Sequence, residues 1–122
     1  DEVKDMAAAL MLADLIVAPY LEPATYNRVI IEAQALGRPV VASDFPNARE
    51  VLEGSSMAWV TPAGDAMALG WAIRDALSLP LDEREARTPQ VIDNVRQRDD
   101  RMVMTDNMLS LYDHLVNAHQ AA

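Results

Sequence analysis

Residues 14–50, DLIVAPYLEPATYNRVIIEAQALGRPVVASDFPNARE, decide the fold. Leu15, Ile16 and Val17 form a short continuous apolar run that stops at Pro19, the pattern of a buried strand in a parallel sheet. Val29, Ile30, Ala33 and Leu36 recur at helical spacing, and Gly37 is placed to stop that helix. PVVAS at 39–43 is a second buried strand. Asn47 begins a short helix that runs through Leu52. Strand, turn, helix, strand, turn and short helix make an α/β unit with a parallel sheet.

The rest of the chain continues the alternation. AWVT at 58–61 is a third strand, followed by the turn PAGD, and Asp65 caps a helix reaching about Leu79. A helix is predicted over 4–13 from its Ala, Leu and Met content. Residues 82–87 are helical, Thr88–Pro89 restarts a helix, and a last one runs from about Asp100 to His119. That last helix carries Met104, Met108, Leu111, Tyr112 and Leu115 on one face. Met57 and Met102 read as core fillers. The fold expected is a three-layer α/β/α domain over residues 1–122, with a short, three-stranded, Rossmann-like parallel sheet.

A chain of 122 residues makes one domain with a real core. The net charge of −9 argues against nucleic acid and anionic membranes, which require basic patches, and favours encounter with a basic protein. The absence of cysteine excludes thiolate metal sites and disulfides and leaves the cytoplasm as the default compartment. His114 and His119 lack neighbours at ligand spacing, so neither a metal nor another cofactor is expected. No apolar run approaches the roughly 20 residues of a membrane span, and no signal peptide opens the chain.

Ligands of open parallel sheets bind outside the carboxyl ends of the strands. Residues 19–27, 44–47 and 62–67 follow the strands and are expected to form one continuous surface.

Several stretches resemble the second half of the C-terminal domain of retaining glycosyltransferases of the GT-B fold. They are DLIVAP (14–19), EP (22–23), RVIIEAQALGRPVVASD (28–44), ARE (48–50), the weaker AWVTPAGDAMAL (58–69) and the closing MLSLYDHL (108–115). The resemblance covers nearly the whole chain and implies a nucleotide-sugar site. In that family two Glu stand in an E-x7-E pattern, with Phe-Gly shortly after the first and Gly-Gly after the next strand. The second Glu corresponds to Glu32, which the family uses on the nucleotide ribose. The first, which contacts the donor sugar, corresponds to Ala24. Phe-Gly becomes Tyr26-Asn27, and Gly-Gly becomes Pro46-Asn47.

Those exchanges bear on chemistry. A sugar diphosphate needs backbone N–H groups at close approach. Pro46 has none, and the side chains of Tyr26, Phe45 and Asn47 obstruct approach. Glu32 also has a purely structural role available, as the i, i+4 partner of Arg28. The family's N-terminal domain and the first half of this one are not in the sequence. Only the last three of about six strands are then expected. The strand at 14–20 is expected to be a bare edge open to a second copy, unless the leading helix covers it.

A second departure lies at 65–79. Ala66, Leu69, Ile73, Ala76 and Leu77 define a core face, and Met67 and Trp71 fall off it on a wheel of about 100° per residue. Gly70 notches the helix between them.

From the residues alone, the leading expectation is a catalytically inactive scaffold, derived from a glycosyltransferase by engineering and truncation. It would bind a protein, one that is basic and an enzyme that it blocks. The anchors expected are Tyr20, Tyr26, Phe45, Met67 and Trp71, with Pro46 beside them and Asn27 and Asn47 as polar contacts. The alternative is an excised nucleotide-sugar-binding fragment of a retaining glycosyltransferase with Glu32 as its residual contact. A homodimer through the bare edge is a third.

Overall fold

The structure is a computed structural model that describes residues 4–23 and 27–120. Three short parallel strands, β1 (Ile16–Ala18), β2 (Val40–Ser43) and β3 (Ala58–Thr61), form a sheet in the order β1-β2-β3. The register pairs Ile16 with Val40, Val40 with Ala58 and Ser43 with Thr61. Six helices complete the described residues: α1 (Met6–Leu12), α2 (Arg28–Ala35), α3 (Pro46–Leu52), α4 (Ala66–Leu77), α5 (Leu81–Asp99) and α6 (Arg101–Gln120). The expected α/β/α architecture with a Rossmann-like parallel sheet is the one observed.

Strand alternation sorts the core into two halves. Val40 and Ala42 meet Ile30, Ala33, Ala48 and Leu52 of α2 and α3 on one face. Val41 meets Ala72 and Ala76 of α4 on the other, with Trp59, Leu69 and Ile73 packed around them. β2 is buried along its whole length because both of its faces are covered. β1 has no second neighbour among the described residues, and Val17 is partly exposed.

α2 stops where expected. Gly37 takes φ +66°, its N–H donates to the carbonyl of Gln34 at 2.9 Å, and the N–H of Arg38 donates to that of Ala33 at 2.9 Å. That is a Schellman closure, which needs a left-handed residue and so favours glycine. Asp5 and Asp65 cap α1 and α4, accepting from the N–H groups of Ala8 and Ala68 at 3.0 and 2.9 Å.

The restart expected at Thr88–Pro89 does not occur. α5 runs unbroken for 19 residues with Pro89 inside it. A mid-helix proline costs about 3 kcal/mol because it removes an N–H and crowds the preceding turn. Tertiary contacts offset that cost. Val91 is fully buried and Val95 nearly so. Gln90 Nε2 and Asn94 Nδ2 each donate to the carbonyl of Gly54 at 2.8 Å, and Arg98 reaches the carbonyls at the end of α3. These bonds hold α5 in one line against the turn after α3.

Met57 is fully buried, as expected, but Met102 is exposed, because α6 leaves the body of the domain. The apolar face of α6 is uncovered among the described residues, with Met104, Met108, Leu111, Tyr112 and Leu115 all half-exposed or more. Among the described residues, no helix is long and apolar enough to cross a membrane.

Candidate functional site at the strand ends

The carboxyl ends of all three strands border one cleft of about 210 Å³. Pro19 and Leu21 come from beyond β1, Ser43 from β2, and Thr61 from β3, with the turn at 62–66 closing it beneath Leu69. The geometry follows from alternation. Val41 and Trp59 face α4, so Ser43 and Thr61, two residues further on paired strands, face the same way. Gly64 at φ +79° turns the chain so that Asp65 starts α4 over the cleft. Ser43 and Thr61 are both more than nine-tenths buried. The sequence reading missed them as site residues. The signal available was their phase relative to Val41 and Trp59.

The turn after β2 is locked by a fork. Arg49 donates through Nε to Asp44 Oδ1 and through Nη2 to Asp44 Oδ2, and the backbone N–H of Asp44 donates to the carbonyl of Thr61 at 2.8 Å. The hydrogen bonds from Arg49 hold the Asp44 carboxyl below its ordinary range; desolvation opposes them, and the positive charge of Arg49 adds a lesser lowering effect. The same pairing raises the Arg49 guanidinium. Phe45 is extended and precedes α3, and Pro46 occupies its first turn, where a missing N–H costs least.

At the start of α2, Asn27 is buried, and its carbonyl accepts from the N–H groups of Ile30 and Ile31 at 3.0 and 3.1 Å. Its side-chain Nδ2 is buried without a partner among the described residues. Arg28 Nε donates to Glu32 Oε1 at 2.6 Å, the i, i+4 pair expected. Glu32 lines a shallow depression with Met6, Arg28 and Val29.

The aromatic and polar residues singled out from the sequence do not form one surface. Tyr20 is at the margin of exposure beside the cleft. Phe45 packs against the α2–α3 half of the core, and Asn47 is half-buried, its Oδ1 accepting from the N–H of Ala48 at 3.0 Å. Pro46 borders a depression on that same side with Arg49, Ala58 and Val60. Met67 and Trp71 are exposed on α4, across the sheet, where they share a groove with Gly70 and Arg74. Tyr26, like Ala24, lies outside the described residues. Two helices on opposite faces of one sheet cannot present these side chains to one flat partner.

The family described as glycosyl transferases group 1 matches residues 1–78, through the end of α4. A phosphatidyl-myo-inositol mannosyltransferase of Mycobacterium leprae is 42% identical over 67 residues, covering 55% of this chain and 18% of that protein. An amylovoran biosynthesis glycosyltransferase of Erwinia amylovora is 33% identical over 85 residues, covering 66% of this chain and 20% of that protein. A glycosyltransferase crystal structure from Rickettsia africae superposes with TM-score 0.85 at 22% identity, over 94% of this chain and 31% of that one. The chain thus spans about a fifth of the curated relatives it matches.

These matches overturn two expectations, the catalytically inactive protein-binding scaffold and the assignment to a non-enzyme. These relatives and this structural neighbour are named as glycosyltransferases, which are an enzyme class. The expectation failed because it weighed replaced motif residues more heavily than the retained helix-and-strand segment at 28–44. It also assumed that the aromatics share a face.

Proposed function

Because the chain belongs to the glycosyl transferases group 1 family, we propose that it is the nucleotide-sugar-binding part of a retaining glycosyltransferase, working at the carboxyl ends of its strands. One observation carries the reading. By the family resemblance Glu32 corresponds to the ribose contact; it stands on α2 with its carboxylate partly exposed and bonded by Arg28 at 2.6 Å, in a depression beside, and not part of, the strand-end cleft. A carboxylate in a fixed rotamer accepts hydrogen bonds from two neighbouring hydroxyls without a further loss of side-chain freedom. Arg28 then has two roles, orienting Glu32 and placing positive charge where a diphosphate would approach.

Ala24 cannot make the family's contact to the donor sugar. The hydroxyls of Ser43 and Thr61 are the replacements we assign, since both line the cleft between β1 and α4 and can each donate to and accept from a polyol. The sugar to test first is mannose, the one in the name of the mycobacterial relatives. Transfer itself belongs to the whole enzyme that carries this domain, which in the relatives extends far beyond the matched segment.

Calorimetric titration with GDP-, UDP- and ADP-linked hexoses tests the reading. Saturable binding of at least one donor is expected, weakened about tenfold by Glu32→Gln, the factor for about 1.4 kcal/mol of lost charge-assisted bonding. If no donor binds, or if Glu32→Gln binds as well as the native chain, the reading is wrong.

A further inference from the structure

The two tryptophans of the chain border one groove that the strand-end reading does not use. Trp59 on β3 and Trp71 on α4 line a depression of about 460 Å³ with Ala72, Arg74, Asp75 and Ser78. It lies along α4 beyond the first turn and shares no lining residue with the cleft at Ser43 and Thr61.

Both indoles are held. Trp59 Nε1 donates to Asp75 Oδ2 at 2.6 Å. The Arg74 guanidinium carbon lies 4.0 Å from the centre of the Trp71 ring, stacked on one face. Trp71 is nevertheless 54% exposed, more than core packing would leave to so large an apolar side chain.

We propose that this groove binds a neutral saccharide. One face of a pyranose ring is lined with C–H groups of weak positive charge, which stack on the electron-rich face of an indole. The ring's edge carries hydroxyls that donate and accept; along the same wall Arg74 supplies donors and Asp75 and Ser78 supply acceptors, the Ser78 hydroxyl itself donating to the Arg74 carbonyl at 2.7 Å. The volume is within the range of about 300–1,000 Å³ of small-ligand sites. Charge selects within the class. Arg74 and Asp75 cancel, and the chain carries −9 overall, so a uronate, sulfated or phosphorylated sugar is repelled. The site is separate from donor binding and stands whether or not a nucleotide sugar occupies the strand ends.

Trp59 and Trp71 are the only tryptophans, so intrinsic fluorescence reports on the surroundings of the two side chains that border this groove. The chain is titrated with mannotriose, maltotriose and cellotriose, and in parallel with a trigalacturonate. At least one neutral trisaccharide should produce a saturable change in emission and shift the Trp59 indole N–H resonance, while the trigalacturonate should not. Trp71→Ala should weaken that binding about tenfold, one lost aromatic contact, with unchanged circular dichroism. Arg74→Ala, at an exposed position, gives a second reading should Trp71→Ala perturb folding; it should weaken binding as well. The donor titration described above should be unaffected by either change, which separates this site from the strand-end one. The proposal fails if no neutral trisaccharide gives saturation, if the trigalacturonate binds equally well, or if both variants keep native affinity.

Discussion

A Cβ built on Gly37 would stand 2.5 Å from Thr88 Cγ2, because the end of α2 sits directly against the middle of α5. Gly37 is therefore constrained twice, by φ +66° and by its neighbour. Gly37→Ala is expected to lower stability by about 1–3 kcal/mol, measured as a shift in the urea midpoint at constant slope. Thr88→Ser removes Cγ2 while keeping the hydroxyl that bonds the carbonyl of Arg84 at 2.8 Å. Adding it to Gly37→Ala should recover the steric part and leave the backbone strain. A double variant no better than the single one would show that contact with Thr88 plays no part.

Arg98 closes α3 from across the domain. Its Nη1 donates to the carbonyl of Glu50 at 3.1 Å and its Nη2 to that of Val51 at 2.8 Å. The last turn of a helix leaves its carbonyls short of intrahelical partners, and here Glu50 has only a long bond from the N–H of Glu53 at 3.4 Å while Val51 also accepts from Gln34 Nε2 at 2.7 Å. Arg98→Ala should cost about 1–2 kcal/mol by chemical denaturation. Arg98→Lys should restore less than half of the loss, since an ammonium lacks the fork that spans two carbonyls. Full recovery with lysine would assign the effect to charge alone.

Asp44 and Arg49 give a pH dependence of known sign. The Arg49 hydrogen bonds and charge lower the carboxyl from its ordinary value of 3.8. A carboxyl with a lowered folded value stabilises the native state above the unfolded value, and that contribution is lost as pH falls through the lowered folded one. The stability gap between the native chain and Asp44→Asn should therefore be constant from pH 5 to 7 and shrink as pH drops below about 4. Both groups face solvent, so the gap should be small and should narrow in 1 M salt. A gap that widens in acid would refute the assignment.

How much of this was legible in the sequence depends on how local the cause is. The three strands, the stop at Gly37 and the cap at Asp65 were readable because each rests on hydrogen bonds and sterics within a few residues. α5 was not. Thr88–Pro89 is a sound local signal for a new helix, and it lost to contacts from Gln90, Asn94 and Arg98 to residues more than thirty positions away. The site was legible in part. The Glu32–Arg28 pair followed from i, i+4 spacing, the role proposed for Glu32 came from the family resemblance, and the outward position of Met67 and Trp71 followed from the helical wheel. Ser43 and Thr61 were missed, since neither residue type stands out until the strand register sets them side by side.

By itself, then, the sequence determined a parallel α/β domain, because strand and helix periods and their stops are written in nearest neighbours, and its likeness in stretches such as 28–44 pointed to the glycosyltransferase family. Tertiary structure decided which residues share a surface. It placed Phe45 with α3 and Trp71 with α4 on opposite faces of the sheet, and it brought Trp59 to the same groove as Trp71. Side chains alternate across a strand and crossover helices cover both faces. Residues close in the sequence are therefore parted by the thickness of the sheet, and residues twelve apart can meet.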